Sequence, residues 1–198
     1  PEHSAEKIKA ANLVAVPGCY PTASILGLLP VIPYLQKNSK IILDAKSGIS
    51  GAGKSSVENG LEEDIKENFK SYNVGFHRHQ PEIKDFLKTE FNLDNEIIFI
   101  PHLLPLFRGE YVTLYCEVTQ NDLNLNELYE SYYEKHKLVR VKEKGEIAEI
   151  KEVINTFYCD ISVSYAFQSN TIVVNSAIDN LLKGAASQAI QCLDIMSS

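Results

Sequence analysis

A chain of 198 residues, 44% of them hydrophobic, can bury one core of ordinary domain size without disulfide staples. Its 19 basic and 26 acidic residues leave a net charge of −7 and no basic run, which excludes nucleic acid as the main partner. No apolar run approaches the roughly 20 residues that span a bilayer, and no charged n-region followed by an apolar stretch opens the chain. The expectation is a cytoplasmic protein with no membrane partner.

Pro1 to Ala10 lacks an initiator Met and reads as the continuation of a preceding segment, with a short polar helix over Ser4 to Ala10. Leu13 to Val16 reads as a short strand ending at Pro17-Gly18, and Thr22 to Leu35 is apolar enough for a buried helix despite Pro30 and Pro33. Lys40 to Lys46 is the next strand, followed by a Gly/Ser-rich loop over Ser47 to Ser56 and a charged helical stretch to about Lys70. Asn73 to His79 reads as extended, and Pro81 stands where a helix begins, with Glu82 in its first turn. Glu96 to Ile100 and Tyr111 to Val118 are strands, Asn124 to His136 an amphipathic helix, and Leu138 to Lys142 a strand. Ile161 to Ala166 and Thr171 to Val174 fit a hairpin through Gln168-Ser169-Asn170, and Ala177 to Met196 is a final helical region interrupted near Gly184. Strands outnumber the helices that could connect them in parallel. The predicted class is therefore α+β, a mixed and largely antiparallel sheet with helices packed on it.

Chemistry concentrates at a few places. Cys19 follows a Pro-Gly turn at the mouth of a predicted helix, where free N–H groups and the helix dipole favour thiolate. Cys116, Cys159 and Cys192 read as small buried hydrophobes, and no C-x-x-C pair suggests zinc. His77 and His79 share one face of a segment just before a helix; with no third ligand marked, an acid/base role beside a thiolate is favoured over a metal. The second ring or Gln80 would orient substrate. Gly48 to Ser55 spells a phosphate-binding P-loop, but the charged stretch after it lacks the apolar inner face such a helix needs, which leaves an NTPase as a minor alternative. Arg108, at a Gly turn before a strand, suits a phosphate or carboxylate.

Five segments stand in an order that resembles the N-acetyl-gamma-glutamyl-phosphate reductases: Val16 to Thr22 around Pro-Gly-Cys, Asp44 to Gly53, His77 to Ile83, His102 to Gly109, and Ala177 to Ala186. The resemblance covers nearly the whole chain, and the P-loop look-alike is one of that family's own motifs. It departs at Val16, where the family usually has Asn, and it lacks the family's N-terminal Rossmann half with its glycine fingerprint.

The resemblance implies a fold like the C-terminal domain of glyceraldehyde-3-phosphate dehydrogenase, and NADPH-dependent reduction of an acyl phosphate to a semialdehyde in arginine biosynthesis. Cys19 would be the nucleophile and His77 and His79 the acid/base residues. Ser47, Gly48, Gln80 and Arg108 would bind substrate, and Asn180, Lys183 and Gly184 would approach the cofactor. Residues 1–178 would form a catalytic and dimerisation domain, and 179–198 a helix returning to the nucleotide-binding domain. A homo-oligomer acting on a small acyl phosphate is implied, with the one-carbon-longer N-acetyl-aminoadipyl phosphate as the alternative substrate and no metal. Iodoacetamide near neutral pH is expected to label Cys19 before the other three cysteines, as peptide mapping would show; equal labelling of all four contradicts the assignment.

Overall fold

Side-chain alternation builds the sheet. The computed structural model describes residues 1–53, 57–166 and 169–198, with backbone only at 57 and 59. Its strands are β1 (Lys40–Ser47), β2 (Lys70–Ser71), β3 (Glu96–Leu103), β4 (Glu110–Glu117), β5 (Val139–Val141), β6 (Cys159–Tyr165) and β7 (Thr171–Ile178). In β1, β3 and β4 every second residue is buried, as a sheet with one covered face requires. The seven strands run in the order β2-β3-β1-β4-β7-β6-β5. β1 with β3 and β5 with β6 are parallel, and the other four pairings are antiparallel. The mixed, largely antiparallel α+β architecture is the expected one.

The helices are α1 (Ala5–Lys9), α2 (Cys19–Leu28), α3 (Glu62–Ile65), α4 (His79–Phe91), α5 (Leu125–Tyr133), α6 (Ile150–Val153) and α7 (Ser187–Ser197). α2 is apolar on nearly every side because it lies over β4 and β7 and is flanked by α4. At Gly27 a Cβ would come 2.8 Å from Leu114 Cδ1, so glycine sets how closely the helix approaches the sheet. The expected single helix to Leu35 changes at Leu29 into a 3-10 segment, Leu29–Tyr34, that accommodates Pro30 and Pro33. Pro30 has no N–H for the Leu26 carbonyl four residues back; the Tyr133 hydroxyl donates to it instead, and Tyr129 donates to Gly27 O at 2.6 Å.

Four further sequence expectations differ from the structure. Residues 13–16 join no ladder, and Leu13 is 89% exposed: an apolar run supplies no partner strand. Residues 73–76 form a turn, with Asn73 at φ 46° and Gly75 at φ 79°, not an extended segment. The charged stretch after the glycine loop is a π-helical turn, Val57–Leu61, followed by one turn of α-helix, α3. Ala177 belongs to β7, and the chain enters α7 through a second π-helical turn, Leu182–Ala186. The Ile161/Thr171 hairpin is present as β6–β7, although Gln168 of its turn lies outside the described residues. Among the described residues no helix is long and apolar enough to cross a membrane.

The two ends of the chain meet in a buried ion pair. Lys183 Nζ donates to Glu2 Oε1 at 2.5 Å and to Gln191 Oε1 at 2.8 Å, and Gln191 Nε2 donates to the same Glu2 oxygen at 2.9 Å. Burial pushes the Glu2 carboxyl up, but the Lys183 ammonium and its hydrogen bond hold it below the ordinary glutamate value. A carboxyl depressed by folding stabilises the fold above its unfolded pKa and loses that contribution as pH falls through its folded pKa. Glu2→Ala is therefore expected to lower the unfolding free energy by about 3–5 kcal/mol in urea titrations at pH 7, with the difference shrinking below the carboxylate range. An unchanged midpoint at pH 7 would show that the pair contributes nothing net.

Candidate active site

The turn before α2 is fixed from both sides. Gly18 caps the helix in an extended conformation; its N–H donates to Glu82 Oε1 at 3.0 Å, and its carbonyl accepts from Thr22 N at 3.0 Å and Thr22 Oγ1 at 2.9 Å. A Cβ at Gly18 would lie 2.4 Å from His79 Nε2, so the imidazole rests directly on the turn. A Cβ at Gly184 would lie 2.6 Å from Cys19 Cβ, which packs the chain after β7 against the thiol residue. Two glycines thus bring His79 and residues 180–186 to Cys19 from positions far apart in sequence.

These segments enclose a cleft of about 570 Å³ whose wall includes Cys19, His79, Ser50, Gly51, Asn180 and Gly184, with Ala185, Ala186 and Ala189 on the side of α7. Cys19 is partly exposed, whereas Cys116, Cys159 and Cys192 are buried. His77 lies outside this cleft. It lines a neighbouring hollow with Gln80, its ring 4.8 Å from that of His79 and edge-on to Tyr20 and Tyr72. His77 Nδ1 accepts the His79 N–H at 3.2 Å, so it braces the head of α4.

The electrostatics correct one expectation. Cys19 sits at the helix head as foreseen, and the N–H groups of Tyr20 and Cys19 itself do favour thiolate, but burial and the nearby Glu110 carboxyl outweigh them and hold the thiol well above its ordinary pKa. Glu110 is fully buried, neither of its oxygens has a hydrogen-bond partner of ordinary geometry, and burial pushes it up to about 8. His79 is held down at about 4 by burial, by His77 and by Arg78, and is neutral at pH 7. Burial and Arg78 likewise lower His77. The sequence reading missed Glu110 because it began the strand at Tyr111. Extending the alternation Cys116, Leu114, Val112 by one step would have placed a carboxyl on the core face.

The remaining predicted residues divide between the cleft and its supports. Ser47 is buried, with its hydroxyl on Gly48 O at 3.0 Å, and Gly48 is held where a Cβ would meet Leu106 O and Phe107 O at 2.8 Å; their neighbours Ser50 and Gly51 reach the cleft instead. The N–H groups of Gly48, Ile49 and Ser50 donate to Gly109 O, Leu106 O and Phe107 O at 2.8, 2.9 and 2.9 Å, so the P-loop spelling does not present them to a phosphate. Lys54 lies outside the described residues. Gln80 Nε2 donates to Ile97 O at 3.0 Å, which ties α4 to β3. Arg108 is engaged away from the cleft by Asn155 and by Asp179 Oδ2 at 3.4 Å. Asn180 accepts from Gly109 N at 2.8 Å and donates to Ser50 Oγ at 3.0 Å, joining β4 to the glycine loop. Lys183 is fully buried with its ammonium on Glu2 and turned away from the cleft. Among the described residues no three or more His, Cys, Asp or Glu side chains cluster as metal ligands.

The chain is 41% identical over 199 residues to the N-acetyl-gamma-glutamyl-phosphate reductase of Thermoanaerobacter sp. (strain X514), covering 99% of this chain and 58% of that protein. With the enzyme of the same name from Halothermothrix orenii it shares 44% identity, covering 98% of this chain and 57% of the relative. The chain thus spans somewhat under three-fifths of the length of the relatives it matches. The crystal structure of aspartate semialdehyde dehydrogenase II from Vibrio cholerae superposes with a TM-score of 0.75 at 14% identity, over 99% of this chain and 65% of that one, a likeness of fold. The family model described as semialdehyde dehydrogenase, dimerisation domain, matches residues 19–180, from the thiol at the head of α2 to the asparagine that closes the far side of its cleft. By that match, this chain belongs to the semialdehyde dehydrogenase dimerisation-domain family.

Proposed function

We propose that this chain is the acyl-carrying half of an NADPH-dependent reductase that converts N-acetyl-gamma-glutamyl phosphate to N-acetyl-glutamate semialdehyde and phosphate, a step of arginine biosynthesis. The observation that carries the reading is the Cys19 thiol at the head of α2, in a cleft with the His79 imidazole resting on the adjoining Gly18. The names of the relatives supply the substrate class. Residues 1–178 form the substrate half and 179–198 the segment that meets the nucleotide-binding half, in a cytoplasmic homo-oligomer.

Cys19 Sγ attacks the acyl carbon; the bond from that carbon to the phosphate oxygen breaks and phosphate leaves with the electron pair, so the acyl group rests on the enzyme as a thioester. Head-of-helix N–H groups beside Cys19 favour negative charge as it develops on the acyl oxygen. Neutral His79 exchanges a proton at that oxygen, and the thioester sulfur is released once the carbon has been reduced to the aldehyde level. His77 positions His79.

The wall opposite the thiol fits a planar ring. Gly184, packed against Cys19 where a Cβ would stand 2.6 Å from the Cys19 Cβ, and Ala185, Ala186 and Ala189 beside it give the cleft a wall of small residues. Asn180 and Gly184 would hold the nicotinamide end of NADPH, which supplies hydride to the thioester carbon when bound. Lys183 supports this wall through its ion pair with Glu2.

In a polypeptide carrying this chain together with a nucleotide-binding half, Cys19→Ser is expected to abolish acyl-phosphate reduction and His79→Asn to lower kcat by about 10²–10⁴-fold. Without cofactor, intact mass should show one acyl group on the wild type and none on Cys19→Ser; turnover surviving Cys19→Ser would overturn the reading. In NMR pH titrations the His79 ring is expected to stay neutral until pH falls to about 4. Titration near 6.5 would show that the ring is neither buried nor crowded by His77 and Arg78.

A further inference from the structure

The head of β4 carries a carboxyl where the strand's pattern requires an apolar side chain. Glu110, Val112, Leu114 and Cys116 share the buried face under α2. Glu110 lies in register with Ser47 on one side and Ile178 on the other. Ile178 points to the same place: its Cδ1 and Cys19 Cβ both lie within 3.2 Å of where a Gly184 Cβ would stand. A fully buried carboxyl with neither oxygen partnered costs stability, and nothing in the fold uses it. Among the described residues the Cys19 thiol interacts with it through the side chain, and the Tyr20 and Tyr72 phenols feel its charge.

We propose that Glu110 is a catalytic residue of this site: its carboxylate takes the Sγ proton of Cys19 as the sulfur attacks, and returns it when the sulfur is released. The inference rests on the reading of Cys19 as the nucleophile. In the forward step the S–H bond breaks as an O–H bond forms on Glu110; the sulfur electron pair makes the S–C bond, and phosphate departs with the electrons of the broken C–O bond. On release the S–C pair returns to sulfur, which regains the proton from Glu110. No oxidant or reductant enters either proton transfer.

The surroundings single out this pair between about pH 6 and 9. The titratable and charged groups around it are Tyr20 on α2, Tyr72 after β2, and Arg78, His79 and Glu82 at the head of α4, with Glu82 on the Gly18 N–H and His77 behind the His79 ring. Burial moves both phenols above that range, Tyr72 to about 12, and holds His79 at about 4 with His77 also lowered. Beyond β7, Asp179 faces Arg108 and Lys183 faces Glu2, so neither pair turns to the thiol. Glu110, pushed up to about 8, therefore titrates first, leaving a thiol beside a carboxylate that can accept its proton.

The test is the pH dependence of Cys19 alkylation by iodoacetamide in this chain, read by intact mass and peptide mapping. The wild-type rate is expected to climb as Glu110 ionises near pH 8. In Glu110→Gln that rise is lost, and the rate at pH 8 falls by about tenfold or more, recovering only as the thiol itself ionises. Glu110→Ile, which completes the apolar row and is expected to melt at a higher temperature than wild type, carries the same kinetic expectation should the Gln variant fail to fold. Labelling as fast as or faster than wild type in these variants would overturn the proposal, because a carboxylate that merely repels thiolate predicts that result. The reading beneath it fails separately: turnover that survives Cys19→Ser removes the nucleophile itself, whereas a dead Cys19→Ser with undiminished Glu110→Gln labelling sinks only the role of Glu110.

Discussion

Everything at the candidate site depends on how closely α2 lies against the sheet. The helix is held over β4 and β7 by an approach that only glycine permits at position 27, and its phenol-bonded carboxyl end needs no continuing helix beyond Leu28. That depth determines where its first residue, Cys19, comes to rest. Gly18 and Gly184 then admit the His79 ring and the chain after β7 to within contact of the same turn. Side chains at these three positions would collide with the Leu114 methyl, the His79 ring and Cys19 itself, so the packing around the turn would have to give.

The same depth creates the electrostatic conflict at the site. Seating a thiol this far inside opposes its ionisation, and the helix-head N–H groups that would lower its pKa are outweighed by burial and by Glu110. A domain selected for stability alone would place an apolar side chain at 110, as the rest of that strand face does with Val112, Leu114 and Cys116. Local rules broken without structural compensation occur where chemistry is done. By contrast Lys183, another buried charged side chain, has partners in Glu2 and Gln191, and it ties the first residues of the chain to the last helical segment.

The glycine loop shows how a motif's spelling and its physics separate. Phosphate cradling requires main-chain N–H groups that converge on empty space. Here the N–H groups of residues 48–50 are spent on carbonyls of residues 106–109, which fastens the loop to the turn before β4. Asn180 completes the junction from the end of β7, bonding both Gly109 and Ser50. The loop is a support that carries Ser50 and Gly51 to the cleft.

What the sequence determined by itself was local and periodic. Apolar and β-rich runs between turns located six of the seven strands, strand count against helix count pointed to the mixed sheet, and Pro-Gly before Cys19 located the thiol at a helix head, because each of these depends on neighbours within a few residues. Tertiary structure decided the rest. Residues 13–16 had strand composition but no partner, and β2 is two residues long and exists only because the edge of β3 was free. Which histidine meets the thiol was open in the sequence, since His77 and His79 differ only in which side of the turn each ring faces once α4 docks on β3. Whether a helix head makes a thiol acidic was also beyond the sequence: the answer came from burial depth and from a carboxyl ninety-one positions away, brought beside Cys19 by the pairing of β4 with β7 and the descent of α2 onto both.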